Sequence, residues 1–90
     1  MSEITRKAVA GTLESSDVFV EIEPNAAGMK IEIESVVEKQ FGESILASAK
    51  EVLAELGVQN AYLKITDRGA LDCVIRARVE TAVGRAKGEN

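Results

Sequence analysis

Apolar and polar residues alternate in three short stretches of the chain, and an alternation with period two predicts strands with one buried face. These stretches are residues 18–23, 29–34 and 61–66. A fourth and weaker run over residues 8–13 consists largely of small side chains. We expect it to pair with the 18–23 strand as a hairpin, because the four residues 14–17 between them form a loop of common length.

A different spacing, with apolar residues three and four positions apart, predicts an amphipathic helix over residues 36–56. Ser35 and Glu38 fit a capping box, which satisfies free N–H groups at a helix start. Gly57 suits the left-handed conformation that commonly ends a helix. Gly42 interrupts the pattern and indicates a bend or a late start.

The same spacing predicts a second helix after Asp67, a residue type that can cap a helix start. We expect the polar residues 84–90, which include two glycines, to form a frayed tail. The apolar stripe of this helix comprises Leu71, Val74, Ile75, Val79, Ala82 and Val83.

The order of these elements, β-β-β-α-β-α, predicts an α+β fold in a single domain over residues 1–90. Each strand has one apolar face and each helix one apolar stripe. A two-layer sandwich satisfies both, with two helices packed on one face of a four-stranded mixed sheet. The strand–helix–strand unit in the second half predicts a right-handed parallel crossover.

Glutamates line the polar sides of two predicted strands. If the turn at residues 24–28 is a simple reversal, Glu21 and Glu23 lie near Glu32 and Glu34 on the outer face of the sheet. Like charges directly opposite each other destabilise a sheet. The pattern therefore has two interpretations: a solvated face with an offset register, or an acidic docking surface for a basic partner.

Composition and charge exclude several classes of function. The net charge is −4 and there is no basic cluster, so the chain lacks the positive footprint of a nucleic-acid binder. It has no histidine, which removes the usual general base and the commonest zinc ligand. No apolar run is long enough for a signal peptide or a membrane span. We therefore expect a cytoplasmic protein that contacts neither membrane nor nucleic acid.

Two adjacent serines, Ser15 and Ser16, lie at the tip of the predicted hairpin. Serines are common in turns, because their hydroxyls bond to nearby backbone groups. A serine hydroxyl is a poor nucleophile without a base, and the carboxylates of Glu14 and Asp17 are too acidic to accept its proton. The alternative is that a separate enzyme modifies one of the two exposed serines.

Other reactive side chains give weaker indications. Cys73 is the only cysteine, and its helical position favours a small core residue over a reactive thiol. Asp67 and Asp72 are too few to predict a metal site. The arginines of the second half, which could bind phosphates but more often line a solvated face, are Arg68, Arg76 and Arg78.

Three segments together resemble the acyl carrier protein (gamma chain) of citrate lyase. They are Ala-Val-Ala-Gly-Thr-Leu-Glu-Ser at 8–15, Ser-Val-Val-Glu-Lys-Gln-Phe-Gly at 35–42 and Gly-Ala-Leu-Asp-Cys-Val-Ile-Arg-Ala-Arg at 69–78. The first segment is the most specific, since it contains the serine that is modified in that family. This chain has Ser16 where members of the family have glycine, and the match to Gly-Thr-Leu-Glu-Ser selects Ser15.

The resemblance implies a non-catalytic subunit. Ser15 would carry a phosphoribosyl dephospho-coenzyme A group, attached by a separate transferase, and the thiol of that group would hold acetyl and citryl thioesters. The citrate lyase alpha (transferase) and beta (lyase) subunits would be the partners, converting citrate to acetate and oxaloacetate. The related carrier of malonate decarboxylase is an alternative within carriers, and a non-enzymatic interaction module is the alternative outside them.

Overall fold

The computed structural model describes residues 3–36 and 39–89. Its six elements follow the predicted order and form one four-stranded sheet with two helices. The elements are β1 (Ala8–Gly11), β2 (Val18–Pro24), β3 (Met29–Ser35), α1 (Lys39–Glu55), β4 (Ala61–Asp67) and α2 (Asp72–Lys87). The predicted α+β fold with a mixed sheet is confirmed.

The strand order is β1-β2-β4-β3. β2 pairs antiparallel with both β1 and β4, whereas β3 pairs parallel with β4. The parallel pair is joined through α1, as the strand–helix–strand pattern predicts. Because β4 is inserted between β2 and β3, the turn after Pro24 does not make a simple reversal.

This order corrects the expected crowding of glutamates on the outer face. Lys64 lies on β4 opposite Glu21 of β2 on one side and opposite Glu32 of β3 on the other. The next row places Tyr62 between Glu23 and Lys30. Opposite charges thus alternate across the strands, which stabilises the face.

The core lies between the sheet and the two helices. β2 and β4 occupy the centre of the sheet, and their inward side chains are almost completely buried. Among the described residues, no aromatic side chain is fully buried, and the core is formed by branched aliphatic and alanine side chains. Its central members are Val18, Val20, Ile22, Leu53, Leu63, Ile65, Val79 and Val83.

The helix starts differ from the expectations. α1 begins at Lys39 rather than at residue 36, and the capping-box residue Glu38 lies outside the described residues. The N-cap of α2 is Leu71, which makes no side-chain capping bond and is 71% exposed. Leu71 therefore does not belong to the buried stripe.

Asp67 does not cap α2, although it stabilises the turn that leads to it. Its carboxylate is buried and accepts hydrogen bonds from the Ala70 N–H (2.9 Å) and the Ser35 hydroxyl (2.9 Å). A buried carboxylate needs such donors, because an unpaired one loses its hydration without compensation.

The predicted C-terminal end agrees with the structure more closely for α1 than for α2. Gly57 has a φ of 72°, the left-handed conformation expected after the first helix. The expected frayed tail is wrong over residues 84–87, since α2 continues to Lys87 and Ala86 is fully buried. Gly88, with a φ of 81°, then closes the helix. No helix in the described part of the chain is both long and apolar enough to cross a bilayer.

Candidate functional site: the serine loop

The predicted serine tip lies at one end of the sheet, where several loops converge. Val18 of β2, Asp67 of β4 and Ser35 of β3 form one row across this end. Residues 12–17 connect β1 to β2 here, and residues 68–71 lead from β4 to α2. The connection between β1 and β2 thus has six residues, not the expected four, because β1 ends at Gly11.

Residues 12–17, hereafter the serine loop, present both hydroxyls to solvent. A β-turn over Glu14–Asp17 is closed by a hydrogen bond from the Asp17 N–H to the Glu14 carbonyl (3.1 Å), with Ser15 and Ser16 at its exposed centre. No group in the described part of the chain hydrogen-bonds to the Ser15 hydroxyl. That oxygen is available to an external reactant.

Ser16 has a left-handed backbone, with a φ of 66°. Glycine occupies this region at no steric cost, whereas residues with a Cβ occupy it rarely. The conformation explains physically why a glycine would suit this position, which is where the chain departs from the family it resembles.

Asp17 holds the base of the serine loop. Its carboxylate accepts hydrogen bonds from the Thr12 hydroxyl (2.7 Å) and the Val18 N–H (2.7 Å). Arg78 of α2 binds both oxygens, through Nε (3.2 Å) and Nη2 (3.0 Å). The bonds from Thr12, Val18 and Arg78 lower the pKa of Asp17 from 3.8 to about 2. This carboxylate is therefore an anchor and not a base.

Gly11 allows the two ends of the serine loop to approach closely. Its φ is +93°, and a Cβ added there would lie 1.9 Å from the Val18 carbonyl oxygen and 3.3 Å from Cδ of Arg78. The N–H of Thr12 donates to the same Val18 carbonyl (3.2 Å). Only glycine permits this contact, because the added atom would overlap backbone.

A second attachment joins the loop to the β4–α2 connection. The Ser16 N–H donates to the Arg68 carbonyl (2.8 Å), and the Arg68 N–H donates to the Asp17 carbonyl (2.9 Å). These bonds extend the β2–β4 ladder by one step beyond Val18 and Asp67. The loop is consequently held by β4 as well as by α2.

The three candidate arginines have different roles. Arg78 is bound to Asp17, and Arg76 bonds to Asp72 (2.8 Å) and Glu51 (2.6 Å). Both therefore stabilise the fold, and Arg76 links α2 to α1. Arg68 is exposed, and in the described part of the chain its guanidinium has no partner. Of the three, it alone has a cationic group free to meet an anion near Ser15.

Cys73 and Asp72 both lie in the first turn of α2. Cys73 is exposed on the first turn of α2, so its expected place in the core is wrong. Asp72 accepts bonds from Ser48 and Arg76, which lower its pKa. Among the described residues, no cluster of three or more potential ligands could hold a metal ion.

The outer face of the sheet carries paired charges. The Tyr62 hydroxyl donates to Glu32 (2.7 Å) and lowers the pKa of that carboxylate. Lys30 also pairs with Glu32, and Lys7 pairs with Glu23, both at 3.4 Å. The face is mixed in charge, which supports the solvated interpretation over an acidic docking surface.

The sequence predicted the two serines as candidate residues, but it did not predict the contacts that hold their loop in place. The Asp17–Arg78 pair joins residues 61 positions apart, and nothing local in the sequence indicates it. Gly11 carried a usable signal, since a glycine at a strand end often marks a close backbone approach. The site is thus an exposed alcohol on a loop that distant residues hold in place.

Comparison with known proteins supports the expectation that this chain is an acyl carrier protein. The family model "ACP: Malonate decarboxylase delta subunit (MdcD)" matches residues 5–86. The chain therefore belongs to this family of acyl carrier proteins, and the expectation of a carrier in place of a catalytic subunit is confirmed.

Individual curated relatives show which acyl carrier proteins this chain is similar to. Citrate lyase acyl carrier proteins from Escherichia fergusonii and Haemophilus influenzae (strain PittEE) are 55% and 56% identical, over 93% and 97% of this chain and 88% and 90% of theirs. One from Halothermothrix orenii is 49% identical over 93% of this chain and 89% of its own length. The resemblance to citrate lyase carriers is confirmed.

A solved structure shares the fold. It is a chain in the crystal structure of a Pseudomonas malonate decarboxylase hetero-tetramer in complex with malonate. The TM-score is 0.73 at 20% identity, covering 90% of this chain and 84% of that one. At this identity the match supports the two-layer architecture alone.

Proposed function

We propose that this chain is the acyl carrier subunit of citrate lyase, with its prosthetic group attached covalently to Ser15. High identity to citrate lyase carriers over nearly the whole chain supports the class. The observation that carries the site is the exposed Ser15 hydroxyl, free of hydrogen bonds in the described residues and mounted on a loop braced by Asp17.

The attached group is a phosphoribosyl dephospho-coenzyme A arm, joined through a phosphodiester. Its chemistry fits the site, because the attachment requires only an accessible alcohol and open space around it. The Ser15 oxygen attacks the phosphorus of an activated phosphoanhydride donor, an O–P bond forms, and the anhydride P–O bond breaks to release phosphate. The chain offers no base for the serine proton, so the transferase must accept it.

The arm supplies a thiol that carries acetyl and citryl groups as thioesters between the alpha and beta subunits of citrate lyase. The residues of this chain then have a mechanical role. Asp17, Arg78 and Gly11 hold the attachment point in one place, while the tether keeps the acyl group at a high effective concentration near each active site.

Ser15 is preferred to Ser16 on two grounds. The segment Gly-Thr-Leu-Glu-Ser ends on Ser15, and the backbone of Ser16 is already engaged with Arg68 in a left-handed conformation. A modified residue that must enter an enzyme is better placed at a position without such backbone constraints.

Mass analysis of the chain from its own host tests the proposal. The intact protein should be heavier than its sequence by the mass of the arm, and peptides that contain Ser15 should carry the addition. Ser15→Ala should abolish the mass gain, whereas the matched variant Ser16→Ala should retain it. Protein made in a host without the transferase should show the sequence mass alone.

Two outcomes would contradict the proposal. Retention of the added mass in Ser15→Ala, with its loss in Ser16→Ala, would move the site to the neighbouring hydroxyl. Host material that is unmodified at both serines while the assembled complex still cleaves citrate would remove the carrier mechanism altogether.

The malonate decarboxylase carrier is a second candidate, favoured by the description of the matching family. Purified modified carrier, added separately to carrier-free citrate lyase and carrier-free malonate decarboxylase, distinguishes the two. Restored citrate cleavage at lower carrier concentration supports the first candidate, and restored malonate decarboxylation supports the second.

A further inference from the structure

The most exposed large apolar side chains in the described part of the chain lie around the serine loop. Leu13 is 55% exposed, Val36 64% and Leu71 71%. The other two exposed ones, Val9 at 48% and Met29 at 37%, lie on β1 and at the opposite end of β3. Apolar exposure is therefore concentrated at the end that carries Ser15.

The sheet register relates Val36, at the end of β3, to the base of the serine loop. The row Val18–Asp67–Ser35 is followed, towards the loops, by the residues Asp17, Arg68 and Val36. The Val36 N–H donates to the Asp67 carbonyl (3.3 Å). Since neighbouring strands are about 4.8 Å apart, Val36 lies about 10 Å from Asp17.

The other two residues lie on the two connections that are joined by the Ser16–Arg68 hydrogen bond. Leu13 lies in the serine loop two positions before Ser15, and Leu71 is the N-cap of α2 immediately after the loop that bonds to Ser16. We call Leu13, Val36 and Leu71 the apolar rim.

We propose that the apolar rim is the surface against which the arm-attaching transferase docks. The inference rests on the proposed function, which makes Ser15 an acceptor. To form the O–P bond, the transferase must bring its donor to about 3 Å from the Ser15 oxygen. An enzyme at that distance covers the residues that surround the serine, and the rim is what it meets.

The same geometry distinguishes the transferase from the acyl-processing subunits. Once the arm is attached, its reactive thiol lies many bonds away from Ser15, so those subunits can act without touching the rim. Burial of exposed apolar side chains by a partner favours association. The partner surface should therefore be apolar, with an acidic or phosphate group opposite Arg68, the exposed cation among these residues.

Steady-state kinetics of arm attachment test the proposal, with mass gain of the unmodified carrier as the readout. Leu13→Ala and Leu71→Ala should each raise the KM for the carrier about 5- to 10-fold, and Val36→Ala about 3-fold, with kcat changed less than about 2-fold. The controls Val9→Ala and Met29→Ala remove exposed apolar groups away from the rim and should change KM less than about 2-fold. Circular dichroism melts establish that each variant is folded.

Two further measurements make the outcome unambiguous. Carrier with Ser15→Ala should bind the transferase in titration calorimetry, and adding Leu71→Ala should weaken that binding by the same factor as KM. Rim variants loaded to completion should exchange acyl groups with the alpha subunit at wild-type rates. An unchanged KM in both leucine variants, or equal losses in the controls, overturns the proposal.

Normal loading with impaired acyl exchange also overturns the proposal, since it assigns the rim to the acyl-processing subunits. If wild-type carrier gains no mass at Ser15, the proposed function itself fails, and this result is distinct from any effect of the rim variants.

Discussion

The chain reverses direction beside β2 at both ends, and the two connections are built differently. The serine loop, residues 12–17, is held by side chains and backbone from β4 and α2, principally through Asp17 and Arg68. The connection at residues 25–28 is a tight turn stabilised mainly by Asn25, whose carbonyl accepts from the Gly28 N–H and whose side chain accepts from the Ala27 N–H (both 3.2 Å).

The difference shows where this fold uses long-range contacts. The turn at residues 25–28 has two local bonds through Asn25 and one backbone bond from the neighbouring strand, in which the Ala61 N–H donates to the Gly28 carbonyl (3.1 Å). No side chain from another element braces it among the hydrogen bonds of the described residues. The serine loop has additional contacts from residues more than fifty positions away, yet these leave Ser15 itself unbonded. The bracing therefore fixes the position of one side chain and does not serve chain reversal.

The largest expected effect is from a methyl group at Gly11. Gly11→Ala should reduce the free energy of unfolding by about 3 kcal/mol or more, because the Cβ overlaps the Val18 carbonyl at a positive φ. Gly28→Ala is the matched control at the other connection, where φ is +113° but nothing lies within 4 Å. It should cost about 1 kcal/mol. Urea denaturation measures both, and equal losses would contradict the comparison.

Removing the Asp17 charge should produce the next largest loss. Asp17→Asn disrupts the bidentate contact to Arg78 and leaves that guanidinium without its anion. The denaturation midpoint should fall by less than in Gly11→Ala and by more than in Asn25→Ala. A larger loss in Asn25→Ala would mean that the local turn contributes more to stability than the braced loop.

The pH dependence of stability gives an independent check of Asp17. Its folded pKa, about 2, is below its ordinary value of 3.8. The resulting stabilisation is present above pH 3.8 and is lost as the pH falls through 2, since the folded carboxylate then gains its proton. The stability difference between wild type and Asp17→Asn should therefore diminish between pH 4 and 2, as thermal melts at stepped pH can show. A difference that stays constant over that range contradicts the anchoring role.

Arg68→Gln should affect loading and not stability. The side chain is exposed, so the melting temperature should stay within about 2 °C, while arm attachment at low salt should slow about 3- to 10-fold. Added salt should reduce the difference in attachment rate between wild type and Arg68→Gln, because exposed charges are screened. Lys50→Gln removes an exposed cation on α1 and should leave loading unchanged. Equal slowing in both variants would indicate a nonspecific charge effect.

Cys73→Ser should have the smallest effect of all. The residue is exposed on α2, so stability should change by less than about 0.5 kcal/mol and arm attachment should be unaffected. A thiol reagent should label wild-type protein rapidly without denaturant. Slow labelling that accelerates only in urea would contradict the exposed position.

Most elements of the fold could be predicted because their patterns are local. Alternation fixed the inward side of the three long strands, and the residues expected to be buried in β2 and β4 are buried. The start of α2 could not be read in this way, since Leu71 fits the apolar spacing and is nevertheless exposed, and Cys73, expected in the core, is exposed as well. Periodicity reports which face of a helix is apolar and not where its packing partner ends.

Strand order and the bracing of the loop required tertiary information. The insertion of β4 between β2 and β3 depends on how α1 crosses the sheet, which no single segment specifies. The tip serines were identifiable from the sequence, whereas the Asp17–Arg78 contact exists only after α2 packs beside β1 and β2. The candidate residue could thus be predicted, but the framework that positions it could not.

The bonds at the base of the serine loop also bear on the speed of repeated encounters. A loop that is already ordered loses little conformational freedom on association, so little of the contact energy is spent on ordering it. An enzyme that acts on Ser15 therefore meets a loop that is already ordered. Association can be fast, because no conformational change has to accompany it.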